Sequence, residues 1–221
     1  EISDPFGEHC YNFQEIQKHD VVYISNPNNP TGHCLDPSII KELLSQHPNK
    51  LFIVDEAYFE FSGKSCAKFV KEYKNLIVTR TFSKGFSLAS IRLGYICACE
   101  ELMSTINKIR NTKEVNSFAQ ALGEAALDNI EETNKRIEKV KKNKEKLELL
   151  LQKNSIQYIK SEANFILVKV SDSEKIVRDL AGQKILVRDR SIFSGFENTI
   201  RITIGDWHLM ETVIKTILKY P

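Results

Sequence analysis

The sequence has few of the features that mark membrane, nucleic-acid-binding or metal-binding proteins. Its 31 Lys and Arg nearly balance 29 Asp and Glu, a formal net charge of +2, which gives no reason to expect a nucleic-acid partner. The apolar runs are short, which predicts no membrane span. Five cysteines are odd in number and scattered, and the five histidines show no ligand spacing, so no metal site is expected. The opening residues do not resemble a signal peptide. These features predict a reduced, cytoplasmic protein.

One turn carries most of the chemistry that is present. Lys84 follows the hydroxyl residues Thr81 and Ser83, and Arg92 comes eight positions later on what is predicted to be the next strand. An amine can form an imine with an aldehyde, and hydroxyls together with a guanidinium can hold a phosphate. Pyridoxal 5′-phosphate (PLP) carries both groups, so the segment predicts a PLP site. Alone, it also fits an ordinary strand–turn–strand with a surface lysine.

Two upstream strands are predicted to end in polar residues. The run 21–25 stops in an Asn-Pro-Asn-Asn-Pro-Thr-Gly loop that contains Asn29, and the run 51–54 is followed by Asp55. Ligands of open α/β sheets bind beyond the carboxyl ends of the strands, so these residues and the Lys84 turn are expected along one edge. Both signals also have a purely structural interpretation: the Asn-Pro loop could be a plain turn, and Asp55 could be a helix N-cap. The order of all three signals before a Lys/Arg pair favours the site.

The same residues can be given roles toward PLP. Asp55 could ion-pair with the pyridine nitrogen and keep it protonated, so that the ring withdraws electrons. Asn29 and Tyr58 could donate to the phenolate oxygen. Half-buried packing is the alternative for Tyr58.

Six segments resemble the fold-type I PLP enzymes, and within them the class I/II aminotransferases of the histidinol-phosphate aminotransferase group. They are Asn-Asn-Pro-Thr-Gly at 28–32, Val-Asp-Glu-Ala-Tyr at 54–58, Arg-Thr-Phe-Ser-Lys at 80–84, Leu-Ala-Ser-Ile-Arg-Leu-Gly at 88–94, Ala-Asn-Phe-Ile-Leu-Val at 163–168 and Ile-Arg-Ile-Thr-Ile-Gly at 200–205.

The resemblance implies a set of site residues and a homodimer. It implies that Lys84 forms the imine and that Asp55 meets the pyridine nitrogen. Our hypothesis for the mechanism is that the Lys84 amine then also serves as the acid–base catalyst. The remaining roles are Asn29 and Tyr58 on the phenolic oxygen, Thr81, Ser83 and Arg92 on the phosphate, Arg201 as a substrate-anchoring arginine and Arg188 as a second arginine for phosphorylated substrates.

Alternating strands and helices predict an α/β fold, with residues 1–128 forming part of a fold-type I large-domain sheet. The sheet is expected to be parallel. The predicted strands are 21–25, 51–54, 76–79 and 93–98, and the predicted helices are 37–46, 100–110 and 116–128.

Residues 129–221 are predicted to form an interdomain helix and a small C-terminal α+β domain. Asp128, with Glu131 three residues on, has the spacing of a capping box and predicts the start of a helix of roughly six turns. The predicted strands after it are 156–159, 164–170, 185–188 and 199–204, and the predicted helices are 172–182 and 206–219. Arg188 and Arg201 each fall on one of these strands.

Three functions stay open from the sequence. The first is transamination between a phosphorylated or otherwise anionic amino compound and a 2-oxo acid. The second is decarboxylation of an amino acid phosphate, as in the related threonine-phosphate decarboxylases. The third is a catalytically incomplete chain, because none of the nine glycines supplies the phosphate loop that the family places upstream. Lys113-Glu114 also replace the aromatic or proline usual before Val-Asn, which leaves the substrate open.

Overall fold

The computed structural model describes residues 6, 11–111 and 115–220. They form two compact units. The first unit comprises Glu15–Asn28 and Cys34–Ile137, and the second comprises Glu1–Gln14, Asn29–His33 and Glu138–Pro221. The predicted domain boundary between residues 128 and 129 stays a prediction.

The first unit is built on a four-stranded sheet in the order β1-β2-β3-β4. The first three strands run parallel, and β4 pairs antiparallel with β3. The strands are β1 (Val21–Ser25), β2 (Leu51–Asp55), β3 (Leu76–Thr81) and β4 (Gly94–Ala98), and the α-helices are α1 (Pro37–Gln46), α2 (Phe59–Ser62), α3 (Glu100–Asn107) and α4 (Ser117–Asp128). Short 3-10 turns lie at Phe13–Lys18, Ala67–Phe69 and Ala89–Ile91.

Local sequence accounts for these elements. In β2, Phe52 and Val54 are fully buried and alternate with half-buried residues, as a pleated strand requires. Helix α1 begins after Asp36, whose carboxylate accepts from the Ser38 N–H at 2.9 Å, and Pro37 occupies a first-turn position where no N–H is needed.

The antiparallel β4 corrects the expectation of a wholly parallel sheet. A parallel return needs a crossover, usually a helix that packs on the sheet face. The segment 82–93 contains only the 3-10 turn at Ala89–Ile91, so the chain turns back beside β3 and Thr81 pairs with Gly94.

The second unit holds a sheet in the order β5-β6-β8-β7, with every neighbouring pair antiparallel. Its core is aliphatic and joins the sheet to the helices; Leu147, Ile176, Ile200 and Val213 are fully buried. The elements are α5 (Ile130–Lys153), β5 (Tyr158–Ile159), β6 (Phe165–Lys169), α6 (Ser173–Gly182), β7 (Arg188–Asp189), β8 (Thr199–Thr203) and α7 (Trp207–Ile217). The unit boundary falls within α5.

Two predicted details were wrong. Asp128 does not cap α5: it is the last residue of α4, and the N–H of Asn129 still donates to the Ala125 carbonyl at 3.2 Å, so the helical pattern continues past the proposed cap. The strand predicted over 185–188 is only Arg188–Asp189, because the Ile185 N–H donates to Leu180 and closes α6 instead.

Across residues 6, 11–111 and 115–220, the helices are all too short or too polar to cross a membrane.

Candidate active site

The turn that carries Lys84 is closed by its own hydroxyl and backbone groups. The Thr81 hydroxyl donates to the Leu93 carbonyl at 3.3 Å and accepts from the Ser83 N–H at 3.1 Å. The Lys84 carbonyl accepts from the Ser87 N–H at 3.0 Å. The Lys84 side chain itself is exposed, with Nζ 5.6 Å from the ring centre of Tyr58, which is buried. The turn therefore leaves the Lys84 amine accessible to solvent.

Two aromatic side chains anchor this turn from beneath. Phe82 and Phe86 are both buried, with ring centres 4.5 Å apart. The Phe82 N–H donates to the Leu93 carbonyl, and the Phe82 carbonyl accepts from Leu88, each at 3.0 Å. The turn is thus fixed by packing on one side while Lys84 stays accessible on the other.

The Asp55 carboxylate lies at the carboxyl end of β2 and accepts three hydrogen bonds. Its Oδ1 accepts from the Ala57 N–H at 3.0 Å and from the Thr79 hydroxyl at 3.3 Å. Its Oδ2 accepts from the hydroxyl of Tyr23 on β1. Three donors on two oxygens fix the plane of the carboxylate, so Asp55 is oriented before any ligand arrives.

A buried ion pair joins the ends of β2 and β3 directly beside these residues. Glu56 is 1% exposed, and its Oε2 accepts from Arg80 Nε at 3.0 Å and Nη2 at 2.9 Å. Ser65 donates to the same oxygen at 2.8 Å, and the Arg80 guanidinium stacks 3.5 Å from the Phe59 ring centre. Because Glu56 follows Asp55 and Arg80 precedes Thr81, the pair holds both site residues in register.

The prediction that Arg92 lies on a strand was wrong. Arg92 precedes β4 in a left-handed conformation (φ 56°), and its exposed guanidinium donates through Nη1 to the Ala89 carbonyl at 3.0 Å. The antiparallel direction of β4 nevertheless brings Arg92 to the edge where β3 ends, since Thr81 pairs with Gly94. A parallel strand would have begun at the opposite edge.

Asn29 belongs to the second unit, where its side-chain oxygen accepts from Nη1 of Arg201. The loop around it docks tightly: Gly32 has φ +79°, its carbonyl accepts from the Glu162 N–H at 2.9 Å, and a Cβ there would come 2.1 Å from the Ser161 hydroxyl. Only glycine fits this approach.

Arg188 and Arg201 are direct cross-strand partners in the antiparallel pair β7–β8. Side chains directly opposite each other share a face, and two like charges there destabilise the sheet. The Arg201 guanidinium lies 4.9 Å from the ring centre of Phe165. The strand register therefore places two positively charged residues opposite each other on one face of the sheet.

The structure thus groups the predicted site residues in two sets. Within the first unit, six of them lie at one sheet edge: Asp55, Tyr58, Thr81, Ser83, Lys84 and Arg92. Within the second unit, Asn29 meets Arg201, and Arg201 pairs with Arg188. The roles assigned to these residues stay predictions.

Sequence reasoning missed the residues that hold Asp55 and Glu56. Thr79 pairs with Asp55 across the parallel β2–β3 ladder, and Tyr23 lies two residues before Ser25, the β1 partner of Asp55. Aligning the three strands by their ends would have placed both donors near the carboxylate. The Glu56–Arg80 pair gave no such signal, because a charged residue beside a strand end is usually exposed.

The described part of the chain contains no cluster of three His, Cys, Asp or Glu side chains that could hold a metal ion. The departure from the family pattern at Lys113-Glu114 lies outside the described residues.

Comparison with known proteins identifies the family to which this chain belongs. The profile of the family described as aminotransferase class I and II matches residues 8–217. Histidinol-phosphate aminotransferase 1 of Carboxydothermus hydrogenoformans is 40% identical over 193 residues, which are 87% of this chain and 54% of that protein. The chain thus spans about half the length of this curated relative.

Two solved structures share the fold. The histidinol-phosphate aminotransferase of Clostridium acetobutylicum superposes with a TM-score of 0.86 at 25% identity, over 96% of this chain and 68% of that one. The L-threonine-O-3-phosphate decarboxylase of Porphyromonas gingivalis gives 0.83 at 25% identity, over 95% and 67%. The predicted α/β fold class, a partial fold-type I sheet, is confirmed. By its sequence profile and its fold, this chain belongs to the class I and II aminotransferases.

Proposed function

We propose that this chain binds PLP through Lys84 and Asp55 and that the protein to which it belongs is a PLP-dependent aminotransferase. The observation that carries the proposal is the edge of the first sheet. An exposed amine on a rigid turn and a carboxylate held by three donors lie at the ends of adjacent strands.

The donor set at this edge fits PLP. Asp55 offers a fixed carboxylate for the pyridine nitrogen, and the buried Tyr58 lies beside the Lys84 amine. Ser83 and the exposed Arg92 supply donors for a phosphate, and Thr81 organises the turn between them. The family resemblance also assigns a role on the phenolic oxygen to Asn29, whose side-chain oxygen accepts from Arg201.

PLP, when bound, withdraws electrons from the α-carbon of an amino substrate. The chain's residues then have separate tasks. Lys84 would hold the cofactor, and its Nζ would move the proton at the α-carbon of the substrate. Asp55 keeps a negative charge against the pyridine nitrogen, and the Glu56–Arg80 pair keeps the strand ends that carry Asp55 and Thr81 from shifting.

The substrate we propose is a phosphorylated or otherwise anionic amino compound that exchanges its amino group with a 2-oxo acid. Arg188 and Arg201 face each other across β7 and β8, and an anion shared between them would relieve their repulsion. The relatives named histidinol-phosphate aminotransferase act on a phosphorylated amino compound. A homodimer and a cytoplasmic location are proposed from the family alone.

Decarboxylation of an amino acid phosphate is the second candidate. It is favoured by the fold shared with the L-threonine-O-3-phosphate decarboxylase of Porphyromonas gingivalis, TM-score 0.83. The two reactions differ in which bond at the α-carbon breaks. Release of carbon dioxide, instead of a 2-oxo acid product, would select the decarboxylase.

Borohydride trapping tests the cofactor assignment. The purified chain is mixed with PLP, reduced, digested and mapped by mass spectrometry, and we expect the pyridoxyl mass on the peptide that contains Lys84. The variant Lys84→Ala should lose that mass, whereas Lys71→Ala, which removes an exposed lysine, should keep it. A label spread over surface lysines, or one that persists in Lys84→Ala, would refute the proposal.

A further inference from the structure

Tyr23 lies on β1 and its hydroxyl donates to Oδ2 of Asp55. The other carboxylate oxygen, Oδ1, already accepts from the Ala57 N–H and the Thr79 hydroxyl. Three different parts of the first unit therefore donate to the Asp55 carboxylate: strand β1, strand β3 and the turn after β2.

The sheet geometry explains why this tyrosine reaches the carboxylate. In the parallel β1–β2 ladder, Ser25 pairs with Asp55 and Tyr23 pairs with Ile53. Because side chains alternate along a strand, Tyr23 projects on the same face as Asp55, one pleat back. A phenol is long enough to span that diagonal, whereas an aliphatic side chain would stop short of it.

The hydroxyl stays a donor over the range of pH in which proteins work. Partial burial, followed by the hydrogen bond and the charge of Asp55, raises the pKa of the Tyr23 phenol well above its ordinary value. Hydrogen bonds from a neutral donor to an ionised acceptor are also stronger than neutral pairs. The Oδ2 atom keeps a second lone pair, so one donor does not prevent it from accepting another.

We propose that Tyr23 is a positioning residue for Asp55: its hydroxyl fixes the plane of the carboxylate that meets the pyridine nitrogen of the cofactor. This inference rests on the proposed function, in which Asp55 meets that nitrogen. The role of Tyr23 is exerted through Asp55, the residue to which its hydroxyl donates. Since PLP binding uses the Asp55 charge, loss of the hydroxyl weakens binding without removing the covalent attachment at Lys84.

A double-mutant cycle measures this coupling. Tyr23→Phe deletes only the hydroxyl, and because the residue is 61% exposed the variant loses little packing. We expect its affinity for PLP to fall about three- to tenfold, less than the loss of a direct hydrogen bond to a charged group would cause, because Tyr23 acts through Asp55. In the Asp55→Asn background the same substitution should change the affinity by less than about twofold, because the partner is gone. Tyr73→Phe, which removes a hydroxyl paired with Ser45 at 2.9 Å, is the matched control and should leave the affinity unchanged.

A second readout needs no cofactor. In the chain without PLP, carbon-13 NMR of ring-labelled tyrosine, assigned with Tyr23→Phe, should show Tyr23 ionising at higher pH than in Asp55→Asn. Equal titration in both proteins, or an effect of Tyr23→Phe that persists in the Asp55→Asn background, overturns the inference. If PLP attaches to Lys84 and Tyr23→Phe binds it like the wild type, the inference alone fails. If PLP does not attach to Lys84, the proposed function fails, and the NMR titration still decides whether Tyr23 holds Asp55.

Discussion

Arg80 grips Glu56 through two guanidinium nitrogens that reach the same carboxylate oxygen, Nε at 3.0 Å and Nη2 at 2.9 Å. The Cys66 N–H donates to the other oxygen, so the buried carboxylate is satisfied on both sides. A charge this deeply buried costs folding free energy unless its partners stay in place. The pair therefore ties the integrity of the first sheet to the geometry of the residues on either side of it.

Removing the Glu56 charge should destabilise the chain strongly. Glu56→Gln keeps the shape but leaves the Arg80 guanidinium, whose side chain is 13% exposed, without its counter-charge. We expect a loss of about 3 kcal/mol in the free energy of unfolding, read from urea titrations followed by circular dichroism. The matched control is Glu72→Gln, which breaks the exposed Lys41–Glu72 pair at 3.1 Å and should cost less than about 1 kcal/mol. Similar losses in both variants would contradict the role of burial.

Gly94 should not tolerate a side chain. A Cβ there would come 2.7 Å from the Arg80 carbonyl oxygen, a backbone atom of the paired strand that cannot rotate away. Gly94→Ala is expected to lower the free energy of unfolding by about 1–3 kcal/mol through this overpacking.

Gly182 provides the comparison for that experiment. It ends α6, and a Cβ there would meet nothing within 4 Å. Because alanine favours a helix over glycine, Gly182→Ala should be neutral or stabilising by up to about 1 kcal/mol. A stable Gly94→Ala chain would show that β3 and β4 can separate without cost.

Arg92 should matter for the phosphate of the cofactor and not for its ring. We expect Arg92→Gln to weaken PLP binding about tenfold to a hundredfold, the effect of losing a charged hydrogen-bond donor. Binding of pyridoxal, which lacks the phosphate, should be unchanged. Equilibrium dialysis of both compounds measures the contrast, with Lys71→Gln as the surface control. An equal loss for PLP and pyridoxal would place Arg92 elsewhere.

The Cys66 thiol should resist alkylation in the folded chain. Burial, followed by the charge of Glu56, raises its pKa to about 12. At pH 8 only roughly one molecule in ten thousand then carries the reactive thiolate. Iodoacetamide followed by peptide mapping should label the half-buried Cys97 well before Cys66, which is fully buried. Labelling of both at one rate would contradict this environment.

The same thiol predicts the sign of a pH effect on stability. The folded chain keeps a proton on Cys66 that the unfolded chain releases near its ordinary value of about 9. The unfolded state therefore binds fewer protons, and the contribution of Cys66 to stability falls as the pH rises from about 9 to 12. Urea titrations of the wild type and of Cys66→Ala across that range give the free energy of unfolding at each pH. The contribution of Cys66 is the part of the pH dependence that is absent from the variant.

Sequence patterns predicted most elements of the fold within a few residues. The predicted ranges 21–25 and 37–46 coincide with β1 and α1, since both elements depend on residues close together in the chain. The pattern at Asp128 failed because the same acid can end one helix or begin the next, and the choice depends on where the chain packs. The strand predicted over 185–188 failed similarly, because β8 pairs with only two of the nearby residues.

The sequence by itself determined the family and the presence of a lysine turn with its carboxylate upstream, because each depends on residues close together in the chain. Only the tertiary structure decided that β4 runs antiparallel to β3. This direction places Arg92 at the sheet edge where β3 ends, at Thr81. The tertiary structure also decided that Arg188 pairs with Arg201, that the buried Glu56 accepts from Arg80, and that Tyr23 donates to Asp55. These relationships join residues far apart in sequence, and which of them form is decided by strand register and packing, which no local pattern encodes.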